Sequence, residues 1–254
     1  MEILFLGTGG GRFVTVRQLL ATGGIIIKLN NTYLHLDPGP GALVRARQFN
    51  FNLSKVELLL VSHCHPDHYT DAEMVIEAMT QGGNRKKGFL ITNQTCYYGM
   101  EEEGFRKVFS PYHLTCLEQS FVLNWDEELR IGGIKIKGTK TQHSEPKGLG
   151  FVIEGEKVLG YTGDGVYFEG QEDYFKGCDV LILNSLRPRG DSSYKHMNID
   201  MAEELIKKAK PKLAILQHLG AKLLFGIAQA EARKIEKSTG IKTIAAKDGQ
   251  RITL

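Results

Sequence analysis

The chain has 254 residues, of which 42% are hydrophobic and 24% are charged, with a formal net charge of +3 at neutral pH. This composition is that of an ordinary globular protein, and the small charge gives no support for extended nucleic-acid binding. No stretch approaches the roughly 18 consecutive apolar residues that a membrane helix needs. The N-terminus lacks the basic region of a signal peptide, and the four cysteines form no CxxC pair. We therefore expect a cytoplasmic protein with free thiols and no membrane association.

Apolar runs bounded by polar or turn residues predict a series of strands in chain order. The predicted strands are 3–6, 24–29, 33–37, 56–62, 89–92, 134–137, 150–153, 158–161, 180–184, 213–217 and 242–245. Helical spacing of apolar residues predicts helices over 41–48, 70–80, 199–208 and 223–237. Asn198 is the expected N-cap of the third helix, and the lysines after it complement the helix dipole.

The predicted elements fall into two strand-rich halves, at approximately residues 1–120 and 121–254, and each half closes with helices. This order favours an α/β (α+β) protein with two sheets packed face to face and helices outside, a four-layer αββα sandwich. No low-complexity linker divides the chain, so we expect a single domain over residues 1–254.

The most informative stretch is residues 62–68, whose sequence is SHCHPDH, directly after the predicted strand 56–62. Imidazole and carboxylate side chains are ligands that suit zinc and similar divalent ions. In an extended loop, His63 and His65 can face one ion while Asp67 and His68 face a second. The alternative is a polar loop that contains histidine by chance, which is improbable with only eight histidines in the chain. Residues 70–73 have the pattern of a capping box that opens the next helix.

The pattern HxHxDH after a strand resembles the metallo-β-lactamase superfamily, whose members need three further ligands downstream. His143, Asp164 and His218 follow in that order, each at the end of a predicted strand or beside one. The resemblance implies that His63, His65 and His143 hold one ion. It implies that Asp67, His68 and His218 hold another and that Asp164 bridges both. It also implies that Asp37 supports a ligand histidine without binding metal itself.

This ligand set predicts a catalytic centre with two divalent ions, expected to be zinc, with manganese or iron as alternatives. Structural zinc sites usually contain several thiolates, and none of the seven ligands is a cysteine. Cys64 should alternate away from the flanking histidines. Two dications and two carboxylates leave positive charge that favours a bridging hydroxide and an anionic electrophile such as a phosphodiester. We count Asp67 among the catalytic residues as well as among the ligands.

His196 precedes the predicted helix 199–208, which leads into the strand that ends at His218. This arrangement resembles the tRNA 3′-processing endonucleases and the cyclic phosphodiesterases of phosphonate breakdown. In those groups the histidine at this place is a catalytic acid or a substrate contact, and the resemblance implies the same role for His196. The alternative is a histidine that only packs or caps the helix. Arg187 and Arg189 are candidates for phosphate contacts or for an ordinary surface loop.

The stretch between His143 and Asp164 predicts a plain hairpin and lacks the long arm that the tRNA-processing group commonly has in this place. A small anionic phosphodiester is therefore the expected substrate. Nucleic acid stays an alternative, and a homodimer is possible. The glycine-rich residues 7–11 resemble a dinucleotide loop only weakly, because Arg12 takes the place of the third glycine and no clear helix follows. We expect instead a tight loop at the edge of the site.

The sequence thus predicts a dinuclear metal-dependent hydrolase, foremost a phosphodiesterase that uses a metal-bridging hydroxide as nucleophile. One alternative is a lactone, thioester or carboxylic-ester hydrolase on the same fold. Another is an iron-dependent redox protein. His35 and His113 match no ligand position of the family and are expected to be structural.

Overall fold

A computed structural model of the chain describes residues 1–192 and 195–254 and separates into two compact units. Unit 1 consists of Met1–Thr8, Leu20–Asn124 and Lys247–Leu254, and unit 2 consists of Gly9–Leu19 and Trp125–Ala246. The main break after Asn124 lies near the predicted boundary of the two halves. The sequence did not predict that Gly9–Leu19 belongs to unit 2 or that Lys247–Leu254 belongs to unit 1. The single domain over residues 1–254 stays a prediction.

The elements of the described residues are numbered in chain order. The strands are β1 Glu2–Phe5, β2 Ile25–Leu29, β3 Thr32–Leu36, β4 Val56–Val61, β5 Phe89–Thr92, β6 Gln119–Val122, β7 Glu128–Ile131, β8 Ile134–Lys140, β9 Leu149–Glu154, β10 Val158–Tyr161, β11 Val180–Arg187, β12 Met197–Asn198, β13 Leu213–Gln217, β14 Thr243–Ala245 and β15 Arg251–Thr253. The helices are α1 Arg12–Arg17, α2 Ala42–Gln48, α3 Pro66–Tyr69, α4 Ala72–Thr80, α5 Gln94–Tyr98, α6 Pro111–Cys116, α7 Glu172–Phe175, α8 Ile199–Ala209 and α9 Ile227–Thr239. Short 3-10 turns span Leu53–Lys55, Glu101–Glu103 and Ala221–Leu223.

Unit 1 contains a seven-stranded sheet in the order β15-β1-β2-β3-β4-β5-β6. The strands from β3 to β6 run parallel, so their carboxyl ends lie at one edge of the sheet. Helix α4 buries Val75 and Ile76 in a cluster with Leu59, Val61 and Leu90 of the sheet. This packing holds the loop between β4 and α4 at the edge where sites of parallel sheets form.

Unit 2 contains an eight-stranded sheet, with the path β14-β13-β11-β10-β9-β8-β7 and β12 paired to β11. Strands β10, β11, β13 and β14 are parallel, while β7, β8, β9 and β10 form antiparallel pairs. The antiparallel pair β9 and β10 is the hairpin predicted between His143 and Asp164. The mixed α/β class with two large sheets is confirmed.

The expectation that no helix follows the glycine-rich residues 7–11 is wrong, because helix α1 begins directly after them. Its six residues expose Phe13 and Val16 and bury Val14, a pattern too short for periodicity to reveal. The predicted capping box is also wrong. A separate turn of helix, α3, comes first, the Thr70 hydroxyl donates to the Pro66 carbonyl, and Glu73 accepts from the backbone of Ser110. Asn198 does cap α8, by accepting from the amide of Met201.

Among the described residues, no helix has both the length and the apolar content needed to cross a bilayer. The four cysteines lie in this part of the chain and form no disulfide there. The cytoplasmic location stays a prediction.

Candidate metal centre

The loop that follows β4 in unit 1 presents the first group of predicted ligands. Ser62, His63 and His68 are buried, whereas His65 and Asp67 are partly exposed. Pro66 opens helix α3, where its fixed φ suits the first helical position. Gly39 lies against this loop so closely that a Cβ atom there would come within 2.0 Å of the Asp67 carbonyl oxygen. The turn after β3 therefore packs directly against the backbone of the ligand loop.

Asp37 accepts hydrogen bonds from several residues of this ligand loop. It is buried and has a left-handed backbone, with φ of 51°. Its carboxylate accepts from the Ser62 amide at 2.7 Å, from the Ser62 hydroxyl at 2.6 Å and from His68 Nδ1 at 2.9 Å. These contacts match the supporting role that the resemblance implies, since a carboxylate that orients a ligand histidine is a common partner of metal sites.

These contacts determine where the ring protons lie. A carboxylate only accepts here, so His68 Nδ1 must donate to Asp37, which leaves the lone pair on His68 Nε2. The Ser62 hydroxyl uses its only proton on Asp37, so it must accept from His63 Nδ1 at 3.0 Å. His63 Nε2 therefore also presents a lone pair. It lies 3.0 Å from His65 Nδ1, comparable to the roughly 3.3 Å between two nitrogens that share a tetrahedral zinc ion.

Unit 2 contains the second group of predicted ligands, arranged around Asp164. Oδ2 of this buried carboxylate lies 3.4 Å from His218 Nε2, 3.6 Å from His196 Nδ1 and 3.9 Å from His143 Nε2. These distances exceed ordinary hydrogen bonds, and the nitrogens and the carboxylate converge as ligands around a cation do. His143, Asp164 and His196 form a group whose candidate ligand atoms lie within 4.8 Å of one another.

His143 is fixed by a backbone contact. Its Nδ1 donates to the carbonyl oxygen of Lys195 at 2.7 Å, so its Nε2 presents the lone pair toward Asp164. Lys195 has a left-handed backbone, with φ of 69°, and directly precedes His196. The same short loop therefore orients His143 and delivers His196, whose ring centroid lies 4.8 Å from that of His143.

His218 is held by the glycine-rich loop. Gly9 forms a β-bridge with Leu219, and the amide of Gly10 donates to the Leu219 carbonyl at 3.2 Å. A Cβ atom on Gly10 would lie 2.2 Å from the His218 ring, so only glycine fits beside this imidazole. The expectation of a tight loop at the edge of the site matches this contact.

Asn184, Gln217 and Tyr161 form a buried polar network that sequence patterns did not reveal. Asn184 Nδ2 donates to Asp164 Oδ1 at 2.7 Å and to the Tyr161 hydroxyl at 2.9 Å. Its Oδ1 accepts from Gln217 Nε2. The sequence did contain one signal for this network, because Asn184 directly follows the apolar residues of β11. A buried side-chain amide needs hydrogen-bond partners, so its place in such a strand indicates a polar network.

The predicted ligands thus form two clusters whose chemistry fits divalent metal. His63, His65, Asp67 and His68 lie together in unit 1, and His143, Asp164 and His218 lie together in unit 2 with His196. Three of the rings have their Nδ1 protons engaged and their Nε2 lone pairs directed to other ligands. Neutral imidazoles prepared in this way, together with carboxylates, are what a dication requires.

Two arginines named from the sequence differ in their surroundings. The guanidinium of Arg189 bonds to three carboxylates, with Asp200 at 2.8 Å, Glu203 at 2.7 Å and Glu231 at 3.0 Å. This network ties Arg189 to helices α8 and α9. Arg187, the last residue of β11, forms no ion pair within the described residues, and its Nε is buried without a hydrogen-bond partner there.

The remaining two histidines named from the sequence lie outside the ligand clusters. His35 is fully buried in β3 and donates from Nε2 to the Gly23 carbonyl at 2.9 Å. Burial lowers its pKa to about 4. His113 lies between Glu73 and Glu77, at 3.0 Å from each, and joins α6 to α4. Both contacts agree with a structural role.

Comparison with known proteins gives a family and a fold. A family model described as the beta-lactamase superfamily domain matches residues 32–219. The chain is 38% identical to an uncharacterized protein of Methanocaldococcus jannaschii over 100% of this chain and 95% of the other. It is 25% identical to a ribonuclease Z of Sulfolobus acidocaldarius, over 87% of this chain and 88% of that protein.

Solved structures of the metallo-β-lactamase fold match nearly the whole chain. YhfI from Bacillus subtilis, described as a metallo-beta-lactamase fold protein, gives a TM-score of 0.80 at 20% identity, over 99% of this chain and 98% of that one. A diphosphatase from the PhnP family gives 0.72 at 17% identity, over 99% and 97%. The short form of human tRNase Z gives 0.72 at 15% identity, over 100% and 99%. At these identities the likeness establishes the fold.

Proposed function

The chain belongs to the metallo-β-lactamase superfamily, a family of hydrolases, and on this premise we propose that it is a dinuclear metal-dependent phosphodiesterase. The observation that supports this most is the set of imidazoles whose Nδ1 protons are engaged and whose Nε2 atoms present lone pairs. In the ligand order of the family, His63, His65 and His143 would hold one ion. Asp67, His68 and His218 would hold the other, and Asp164 would contribute to both.

The chemistry of the proposed reaction divides between the ions and the side chains. Two divalent ions, when bound, would supply an activated water and Lewis acidity. Asp164 would contribute the negative charge that holds both ions. His196 would donate a proton to the departing oxygen, because an alkoxide is a poor leaving group without one. Its side chain is 22% exposed, which leaves it accessible to a substrate.

An anionic diester fits the charges of unit 2 best. Arg187 has no carboxylate partner within the described residues, whereas Arg189 has three. A half-buried guanidinium without an anion is costly, and two oxygens of a phosphate would satisfy its donors. We therefore propose Arg187 as the phosphate contact. Two proteins that are similar to this chain are named ribonuclease Z and diphosphatase, and these names refer to RNA and to a diphosphate, both of which are anionic phosphorus compounds.

A small diester is a better proposal than a precursor tRNA. The segment from His143 to Asp164 consists of the hairpin β9–β10 and its short connections. It has no protruding arm of the kind that the tRNA-processing group commonly has in this place. Binding of a large RNA would therefore need another surface, and the net charge of +3 gives little electrostatic help.

A substrate panel tests this proposal. Protein loaded with zinc, manganese or iron would be assayed on phosphodiesters, lactones, thioesters and β-lactams, with a precursor tRNA included. We expect turnover of small phosphodiesters that Asp164→Ala abolishes. Preference for a lactone or thioester would replace the proposal with an ester hydrolase, and efficient cleavage of the precursor tRNA would overturn the small-substrate assignment. Turnover that persists at the wild-type rate in purified Asp164→Ala would count against the site.

A further inference from the structure

We propose that Asn184 is the positioning residue that confines Asp164 to a single metal-facing oxygen, and that Gln217 fixes the orientation of the Asn184 amide. This inference rests on the proposed function, in which Asp164 is the carboxylate shared by both ions. It concerns a side chain that is 2% exposed and lies outside the predicted ligand set.

The two oxygens of Asp164 have different surroundings. Oδ2 faces the ring nitrogens of His143, His196 and His218 at 3.4–3.9 Å. Oδ1 accepts a hydrogen bond of 2.7 Å from Asn184 Nδ2. A carboxylate can bind a cation through one oxygen or through both. Because one oxygen is already engaged by an amide that cannot ionise, Asp164 is prepared to present Oδ2 alone.

The orientation of the Asn184 amide is fixed from its other side. Gln217 Nε2 donates to Asn184 Oδ1, so the nitrogen of Asn184 must face Asp164 and the Tyr161 hydroxyl. A flipped amide would place its oxygen against the carboxylate and its nitrogen against another donor. Both changes are unfavourable in a buried site.

Strand pairing explains why these residues meet. In the parallel ladder of β11 and β13, Asn184 pairs with Gln217, the residue before His218. The backbone N–H of Asn184 also donates to the hydroxyl of Thr162, two residues before Asp164, at 3.1 Å. Asn184 therefore links the strand end that delivers Asp164 to the strand end that delivers His218. A shift of either strand would disturb both ligands through this one residue.

The test compares metal binding by the wild type and Asn184→Leu, a change that keeps the branched shape of the side chain and removes the amide. Zinc affinity would be measured by competition with a chromogenic chelator, and coordination by the visible absorption of the cobalt-loaded protein. We expect zinc affinity to fall roughly 10–100-fold, the usual effect of losing a partner of a metal ligand. We also expect the cobalt bands to change, because a released Oδ1 can join the coordination.

Controls separate this inference from general loss of structure. Asn93→Leu removes another fully buried amide, the N-cap of α5 in unit 1, and should leave zinc affinity and the cobalt spectrum unchanged. If Asn184→Leu does not fold, Gln217→Met keeps Asn184 and removes only the donor that orients it, and a smaller change in the same direction is expected.

Asp164→Asn separates a failure of the proposed function from a failure of the role proposed for Asn184. Tight binding of two ions by Asp164→Asn would refute the shared carboxylate and thus the proposed function. Loss of metal from Asp164→Asn, combined with wild-type zinc affinity and cobalt bands in Asn184→Leu or Gln217→Met, would refute only the role of Asn184.

Discussion

The Nδ1 atom of His143 lies 2.7 Å from the carbonyl oxygen of Lys195, the residue that precedes His196. The contact joins residues separated by 52 positions in the chain. It sets the tautomer of a predicted ligand and the position of the predicted acid through one backbone group. Any change in this loop should therefore affect metal binding and proton transfer together, whereas a change confined to the His196 ring should affect proton transfer alone.

His196→Ala should slow the cleavage of diesters in proportion to how strongly the departing oxygen needs a proton. We expect a loss of roughly 10²–10⁴-fold for alkyl or nucleotide diesters and a much smaller loss for nitrophenyl diesters. Initial rates on a leaving-group series, with the metal content of each sample, measure this. His113→Ala, in unit 1, is the control for removal of a histidine.

Two other results would change the role of His196. Its Nδ1 belongs to a group with His143 and Asp164 that could hold a cation. Loss of an ion from His196→Ala would make it a ligand. An equal loss of rate for all leaving groups would make it a phosphate contact or a structural residue.

Asp67→Ala should remove one ion and leave the other. Asp67 Oδ2 lies 3.9 Å from His68 Nε2, and both belong to the second proposed ligand set, while His63, His65 and His143 would be intact. Metal analysis after dialysis should show a decrease from two ions per chain to one. Asp71→Ala is the matched control, because Asp71 accepts from the Leu43 amide and is not a ligand. Equal weakening of both ions in folded protein would contradict the division into two sets.

Arg187 and Arg189 offer a matched pair of substitutions only two residues apart. Arg187→Ala should raise KM for phosphodiesters roughly 10–100-fold, the effect expected from losing hydrogen bonds between charged groups. Arg189→Ala should lower the melting temperature instead, because the buried Glu231 would lose one of its two cationic partners and keep only Lys234, and KM should be unchanged. Steady-state kinetics and thermal melts on both variants measure this. The reverse pattern would show that Arg189 contacts the substrate.

His35 should make the protein less stable in mild acid. Its pKa is about 4 in the folded state against 6.5 when unfolded, because burial desolvates the ring and disfavours its charged form. Above pH 6.5 both states are neutral at this residue and it has no effect. As the pH falls toward 4, the unfolded state gains the proton first, so the free energy of unfolding decreases.

The expected decrease from this one histidine between pH 7 and pH 5 is about 2 kcal/mol. Urea unfolding of metal-free protein at both values, compared with His35→Gln, isolates the effect. The variant can still donate to the Gly23 carbonyl and cannot take up a proton in this range. The same pH dependence in both proteins would show that His35 does not contribute.

The sequence alone determined the motif loop, the order of the ligands and most of the strands around them. The run of apolar residues in β4 is a local signal, and so are three histidines and an aspartate within six residues. The hairpin β9–β10 was also readable, because alternation and turn residues act over a few positions. These predictions needed no knowledge of which distant segments meet.

The tertiary structure decided which groups support the ligands. Asp37 reaches Ser62 and His68 across 25 and 31 positions, and Asn184 reaches Asp164 across 20. Arg187 and Arg189 look alike in the sequence, and only the packing of α8 and α9 gives one of them three carboxylates. Such contacts depend on strand register and helix packing, which local periodicity does not encode. The sequence therefore predicts the ligands, while their tautomers and orientations follow from long-range contacts.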